Sequence, residues 1–296
     1  DLLFWHGAME EIQKYQDAGA SEADTRQYIA EIKVLRAYEL MHLARLWGAV
    51  LIPNSSEPSH LFNVPLSDFD AVMQHISEQM DEAIPDLPGV HPNQRTKVKG
   101  GVTRYTALAV KALANLEMKN YQAVVNATDE IISSGLFSLE PDYYQLFKIP
   151  GKLNDENILE LQYSDFGQAS GTNTRYLWDF FGPSNWTPAV SGAGGGWGFW
   201  EPSLKYVKFM LDRNEQERLS TSVLFTPEGI AEIQADPNYA TLPNWVTNSS
   251  ADGDVFNDHP RYNFLSGKHY LPSTQLTPGR FTYGENKNFT CIRYAE

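Results

Sequence analysis

The residues best suited to chemistry in this chain lie in 175–200, RYLWDFFGPSNWTPAVSGAGGGWGFW. Tyr176, Trp178, Phe180, Phe181, Trp186, Trp197, Phe199 and Trp200 stand there among glycine, proline and serine, and four of the seven tryptophans fall in this stretch. A segment so poor in periodicity cannot pack every ring into a regular core. An exposed indole or phenol is a flat platform for the C–H face of a sugar. By analogy with aromatic pairs, each ring adds roughly 1 kcal/mol beyond its area burial. Amides and guanidinium groups can bond the hydroxyl edges, and Asn173, Arg175 and Asn185 are placed for that in sequence. The chemistry expected is non-covalent capture of a hydroxyl-rich ligand. Its binding residues are expected to be Trp178, Trp186, Tyr176, Arg175, Asn185 and Trp200. The competing reading is that such rings glue a long loop to its scaffold. We assign that role to Trp197, inside the glycine-rich run.

Carboxylates offer a second chemistry. Asp252, Asp254 and Asp258, or Glu156 and Glu160, could form an acid–base pair or hold calcium. The run Ser249–Asp254 reads instead as a turn with Asx-type hydrogen bonds, and it lacks the full calcium-loop pattern. The histidines, at 6, 42, 60, 75, 91, 259 and 269, show no zinc-ligand spacing. Neither a Gly-x-Ser-x-Gly elbow nor a phosphate loop is present. Gly192–Gly196 follows no strand-like segment and lacks a Lys-Ser/Thr ending, so it reads as a sharp chain reversal. No catalytic group, cofactor or metal is expected.

Bulk composition narrows the partners. A formal net charge of −14 opposes a phosphate backbone and a basic-patch membrane contact. Cys291 stands alone, so no internal disulfide can form. No apolar run approaches the length that spans a bilayer. The chain starts in mid-pattern without a signal peptide, which suggests a piece of a longer protein.

These residues need elements to hold them. GVTRYTALAVKALANLEMKNYQAVVNATDEIISSGLFSL, residues 101–139, predicts two helices. The first runs from about Thr103 to Met118 and is rich in alanine and leucine. Lys119-Asn120 makes the turn, Tyr121 opens the second helix, and Gly135 fits its C-terminal cap. Such a pair of about 34 residues is the unit of a tetratricopeptide array, and one unit cannot bury its apolar face alone. Partner helices are expected upstream. One lies over 1–18, one from Ser21 to about Trp47, and one from Ser67 to the stop at Pro85. Beyond 140 the pattern becomes turn-rich, with a short strand over Asn157–Gln162 and helical periodicity only at 203–211 and 227–235. The fold expected is mainly α: a helical-repeat scaffold over 1–139 and a loop-rich ligand-binding half over 140–296, packed as one compound domain.

Several blocks carry a family resemblance. Glu31-Ile32-Lys33-Val34-Leu35-Arg36-Ala37-Tyr38, then Leu46-Trp47-Gly48-Ala49-Val50 and Pro53, is one. Gly101-Val102-Thr103 with Ala107-Leu108-Ala109 and Lys111-Ala112 is another. Tyr143-x-x-Leu146-Phe147 and Asn154-x-Glu156-x-Ile158 form a third, and Gly195-Gly196-Trp197-Gly198 with Pro202, Asp212 and Arg218 a fourth. In this order the chain resembles the SusD/RagB family of bacterial outer-membrane glycan-binding lipoproteins. The closing Arg293-Tyr294-Ala295-Glu296 looks like the family block that opens a further scaffold helix.

The resemblance implies a non-catalytic, outward-facing outer-membrane lipoprotein of the cell surface. It would bind an oligosaccharide or polysaccharide and deliver it to a SusC-like TonB-dependent transporter. Two other classes stay open: a helical-repeat protein–protein adaptor, and less favoured, a glycoside hydrolase. An adaptor groove would be lined by Asn, Lys and Arg. A hydrolase would need two carboxyls about 5–9.5 Å apart across a cleft.

Overall fold

A computed structural model describes residues 2–164, 177–277 and 286–296. In chain order come α1 (Leu2–Asp17), α2 (Glu22–Trp47), the single turn α3 (Pro58–Leu61) and α4 (Phe69–Ala83). Next are α5 (Arg104–Glu117), α6 (Tyr121–Ser133), β1 (Asn157–Leu161), α7 (Leu177–Phe181) and β2 (Trp186–Thr187). The chain continues with α8 (Leu204–Asp212), α9 (Gln216–Ser222), β3 (Val223–Phe225) and α10 (Pro227–Gln234). It closes with β4 (Val255–Phe256), β5 (Phe264–Ser266) and β6 (Phe289–Arg293). The architecture is mainly helical with short strands, as the sequence implies. No described helix is long and apolar enough to cross a membrane.

The helices begin and end where their caps dictate. Ser21 Oγ accepts from the Asp24 N–H at 3.3 Å, and Glu22 and Asp24 sit in the first turn of α2. Gly48, at φ 76°, ends that helix by donating to the Ala44 carbonyl. Asp68 caps α4 through the Ala71 N–H at 2.8 Å. Thr103 and Thr106 form a reciprocal box at the start of α5.

The buried faces follow helical spacing. Val72, Met73, Ile76, Met80 and Ala83 of α4 are all buried. Ala107, Ala109, Val110, Ala112 and Ala114 of α5 are too, and their small side chains let α5 pack closely between α4 and α6. The turn between α5 and α6 places Lys119 at φ 60°, and Gly135 at φ 64° follows α6. Together these make helix pairs of tetratricopeptide type.

By contacts the chain divides into two units. The helical unit comprises Asp1–Leu139, Asp155–Glu160 and Thr290–Glu296. The other comprises Glu140–Asn154 and Leu161–Phe289. A single cut after 139 therefore omits two short segments that return to the helices. Ile158, Leu159 and Ile292 are buried in the helical core, and Thr106 Oγ1 donates to the Ile158 carbonyl at 3.2 Å. β1 pairs with β6, so Ile292 and Arg293 lie in a strand.

Among the described residues the loop-rich unit has two small cores. β3 alternates between them. Val223 and Phe225 join α8, α9 and Ile233 of α10, while Leu224 joins Phe256, Tyr262, Leu265, Tyr270 and Leu271. β3 pairs antiparallel with β5, setting Leu224 opposite Leu265. β2 pairs antiparallel with β4, setting Trp186 opposite Phe256.

Candidate functional site

The glycine-rich run folds back on the end of α7. Trp197 and Phe199 donate their N–H groups to the Asp179 and Phe180 carbonyls at 2.6 and 2.7 Å. Gly196 and Gly198 donate to Pro183 and Gly182 at 2.8 and 2.9 Å. Those backbone donors are spent, so the segment is a chain reversal rather than an anion cradle. Glycine is required for the close approach. A Cβ on Gly195 would collide with the Pro183 carbonyl oxygen, and one on Gly198 with the ring of Tyr262. Gly198 also sits at φ 61°.

This reversal gathers a ring cluster. Phe180 meets Trp197 edge-on, with centroids 5.1 Å apart at 81°. Trp197 and Phe199 lie 5.7 Å apart, and the Arg261 guanidinium stands 5.4 Å from the Phe199 centroid. The rings stay open to solvent, at 41% exposure for Trp197 and 38% for Phe199. Trp200 follows Phe199 in the chain and is 84% exposed. Its backbone lies at φ 61°, a region that costs a bulky residue of order 1–3 kcal/mol.

Tyr262 anchors the face from below. It is buried, and its hydroxyl accepts from the Asn185 N–H at 3.0 Å and the Ser184 N–H at 3.3 Å. His259 stacks on it at 4.7 Å. Asn185 is exposed, and its Nδ2 donates to the Asp258 carbonyl at 2.7 Å.

Of the six residues singled out by sequence, Asn185 bonds to Tyr262, and Trp200 stands exposed two residues after Gly198, whose Cα approaches the Tyr262 ring. Trp186 in β2 is half-buried and turns its edge to Tyr270, with centroids 6.3 Å apart, so it joins a core. Trp178 falls in α7, with its side chain outside the described residues, and Arg175 and Tyr176 lie outside them altogether. Geometry adds Phe180, Trp197, Phe199 and Arg261. Trp197 and Phe199 were visible as aromatics, but nothing in the sequence pointed to Arg261.

The carboxylates have structural partners. Asp254 is fully buried and accepts from Tyr270 Oη, from Ser273 N–H at 2.9 Å and from Ala189 N–H at 2.7 Å. Burial, then that hydrogen bond, holds the Tyr270 phenol well above its ordinary pKa. Asp258 Oδ1 caps the Glu228 N–H at 2.7 Å. Glu156 pairs with Arg293 at 3.2 Å, and Glu160 accepts from Asn157 at 2.7 Å. Among the described residues no three His, Cys, Asp or Glu gather as metal ligands.

Known proteins resemble the chain in both sequence and fold. SusD-like protein P25 of Formosa agariphila is 27% identical over 182 residues, which cover 59% of this chain and 33% of that protein. A laminarin binding SusD-like protein superposes with a TM-score of 0.76 at 19% identity, over 99% of this chain and 62% of its own. Surface glycan-binding protein A from Bacteroides thetaiotaomicron, solved in complex with laminarihexaose, superposes at 0.68 and 20% identity, over 97% of this chain and 59% of its own. No protein-family model matches. The match thus spans about a third of the curated relative and about three-fifths of the solved chains.

Tetratricopeptide-type helix pairs joined in one chain to a large loop-rich unit define a class, the helical-repeat proteins with an irregular insert. Within that class the chain is similar to SusD-like proteins, in sequence to the curated relatives and in fold to the solved structures, in keeping with its sequence blocks.

Proposed function

We propose that this chain captures glycans at the cell surface without altering them and presents them for uptake. The observation that carries the reading is the solvent-facing aromatic surface of Trp197, Phe199 and Trp200, flanked by Arg261. Flat rings beside a guanidinium suit alternating C–H faces and hydroxyls. Relatives named for laminarin or glycan binding support it. Trp178, Tyr176 and Arg175 remain proposed contributors, and Asn185 a hydroxyl partner at the edge. Delivery to a SusC-like TonB-dependent transporter, and attachment to the outer membrane as a lipoprotein, rest on the resemblance to SusD-like proteins.

Hydrolysis is disfavoured because Asp254, Glu156 and Glu160 serve as buried structural acceptors. The adaptor reading is second. The helical unit does carry a groove, of about 480 Å³, beside α5 and α6. Leu113, Leu116, Val124 and Ile132 line it, and among the described residues Arg293 is its one basic lining residue, so it is mainly apolar rather than lined by Asn, Lys and Arg together.

Native affinity electrophoresis against a polysaccharide panel tests the proposal. Retardation by a polymer with no new reducing ends is expected. Release of reducing ends would overturn the non-catalytic part, and retardation by no polymer would overturn glycan capture by this chain.

A further inference from the structure

We infer that the loop-rich unit holds a second saccharide site, a cavity bounded by residues 142–145, β3 and residues 244–252, selective for neutral over anionic sugars. The inference rests on the glycan reading but uses none of the residues of the aromatic face. The cavity encloses about 630 Å³, within the range of pockets that bury small ligands. Its floor is apolar, made by β3 and the buried ring of Phe256.

Trp245 forms one wall. The ring is half-buried and packs against the α8–α9 core, so it is held in place while it lines the cavity. A fixed indole beside an apolar floor is a platform for a pyranose face. Opposite in chemistry is the Tyr144–Asp252 pair. Tyr144 Oη donates to Asp252 Oδ2 at 2.7 Å, which orients that carboxylate. Asp252 Oδ1 has no partner among the described residues. The Asp142 carboxylate is fixed likewise, accepting from the Tyr144 and Gln145 N–H groups at 3.0 and 3.3 Å.

The same cavity wall holds unspent groups. Gln145 Oε1 is buried without a partner, and the Asn244 amide, the Trp245 indole N–H and Ser249 Oγ make no side-chain bond among the described residues. Acceptors outnumber donors, which suits a ligand rich in O–H donors. Two carboxylates line this cavity and no lysine or arginine does. A sulfated or uronic-acid sugar would face uncompensated like charge there.

Fluorine NMR of the full chain, grown with fluorotryptophan, tests this. Trp245→Phe and Trp200→Phe assign the two resonances. The probes are laminarihexaose and maltohexaose, against a sulfated and a uronate hexasaccharide. The Trp245 resonance is expected to shift saturably with a neutral hexasaccharide, and at least tenfold more weakly with either anionic one. Asn244→Tyr, an exposed substitution at the rim, should abolish that shift and leave the Trp200 response intact. Movement of Trp200 with Trp245 silent overturns the second site and leaves glycan capture standing. Silence of both resonances with every probe overturns both proposals. An equal Trp245 response to neutral and anionic probes overturns the charge selectivity.

Discussion

At the scale of single residues, Trp200 concentrates the proposal. An indole 84% exposed contributes little to folding, so its removal separates binding from stability. Trp200→Ala should weaken oligosaccharide binding about fivefold, near 1 kcal/mol, with no change in melting temperature. Titration calorimetry with scanning calorimetry checks both halves. Gly198 makes the opposite case. A methyl there would collide with Tyr262 in a backbone at φ 61°, so Gly198→Ala should lower the stability of the unit by about 1–3 kcal/mol in urea. An unchanged urea midpoint would mean that the reversal does not depend on that approach. The sequence exposed Trp200 as a candidate because its neighbours offer no periodic core to bury it. It could not reveal Arg261, whose place beside Phe199 comes from folding together segments about 60 residues apart, a non-local contact that no spacing rule reads. Trp197 has a structural contact and an exposed face together. It glues the reversal through Phe180 and still presents 41% of its surface to water.

At the scale of elements, legibility followed locality. α2, α4, α5 and α6 were readable because caps, apolar spacing and stop residues lie within each segment. β1 was readable as a short apolar run, but its partner was not, since β6 lies more than a hundred residues downstream. One local element also carries a pH dependence. The His91 ring, buried against Phe137 at 4.6 Å, accepts from the Asn93 N–H at 3.1 Å and starts a short 3₁₀ turn. Burial lowers its pKa below the ordinary 6.5, with the bond to Asn93 opposing in part. His6 and His75 shift the same way, through burial and then Arg36. With folded values lowered, the unfolded chain takes up protons first as pH falls. Their contribution to stability is complete above about 6.5 and declines as pH drops from there toward the folded values. The urea midpoint should therefore be lower at pH 5 than at pH 7.5, and His91→Asn, which keeps an acceptor at the turn, should shrink that difference. An equal pH difference in the variant would remove His91 from the account.

At the scale of the whole molecule, the helical unit is discontinuous in sequence. Residues 1–139 expressed alone would lack Ile158, Leu159 and Ile292 from their core, each worth about 1.5–3 kcal/mol when buried. They would also lack the Glu156–Arg293 pair. We expect such a fragment to stay helical by circular dichroism but to lose most of its cooperative thermal transition. A sharp transition matching that of the full chain would show that the returning segments are dispensable. The boundary after 139 is where composition changes, which is why sequence places it there. Composition cannot report that two later strands rejoin the helices, because they look like any short apolar run.

The split core has a consequence in time as well as in space. During synthesis the helices emerge first, yet the strand that completes their core is made about 150 residues later. At about 5–20 residues per second the unfinished apolar face waits roughly 8–30 seconds. A chain of this design depends on whatever shields nascent hydrophobic surface during that interval, and slowing translation of its second half should raise its aggregation in the cell.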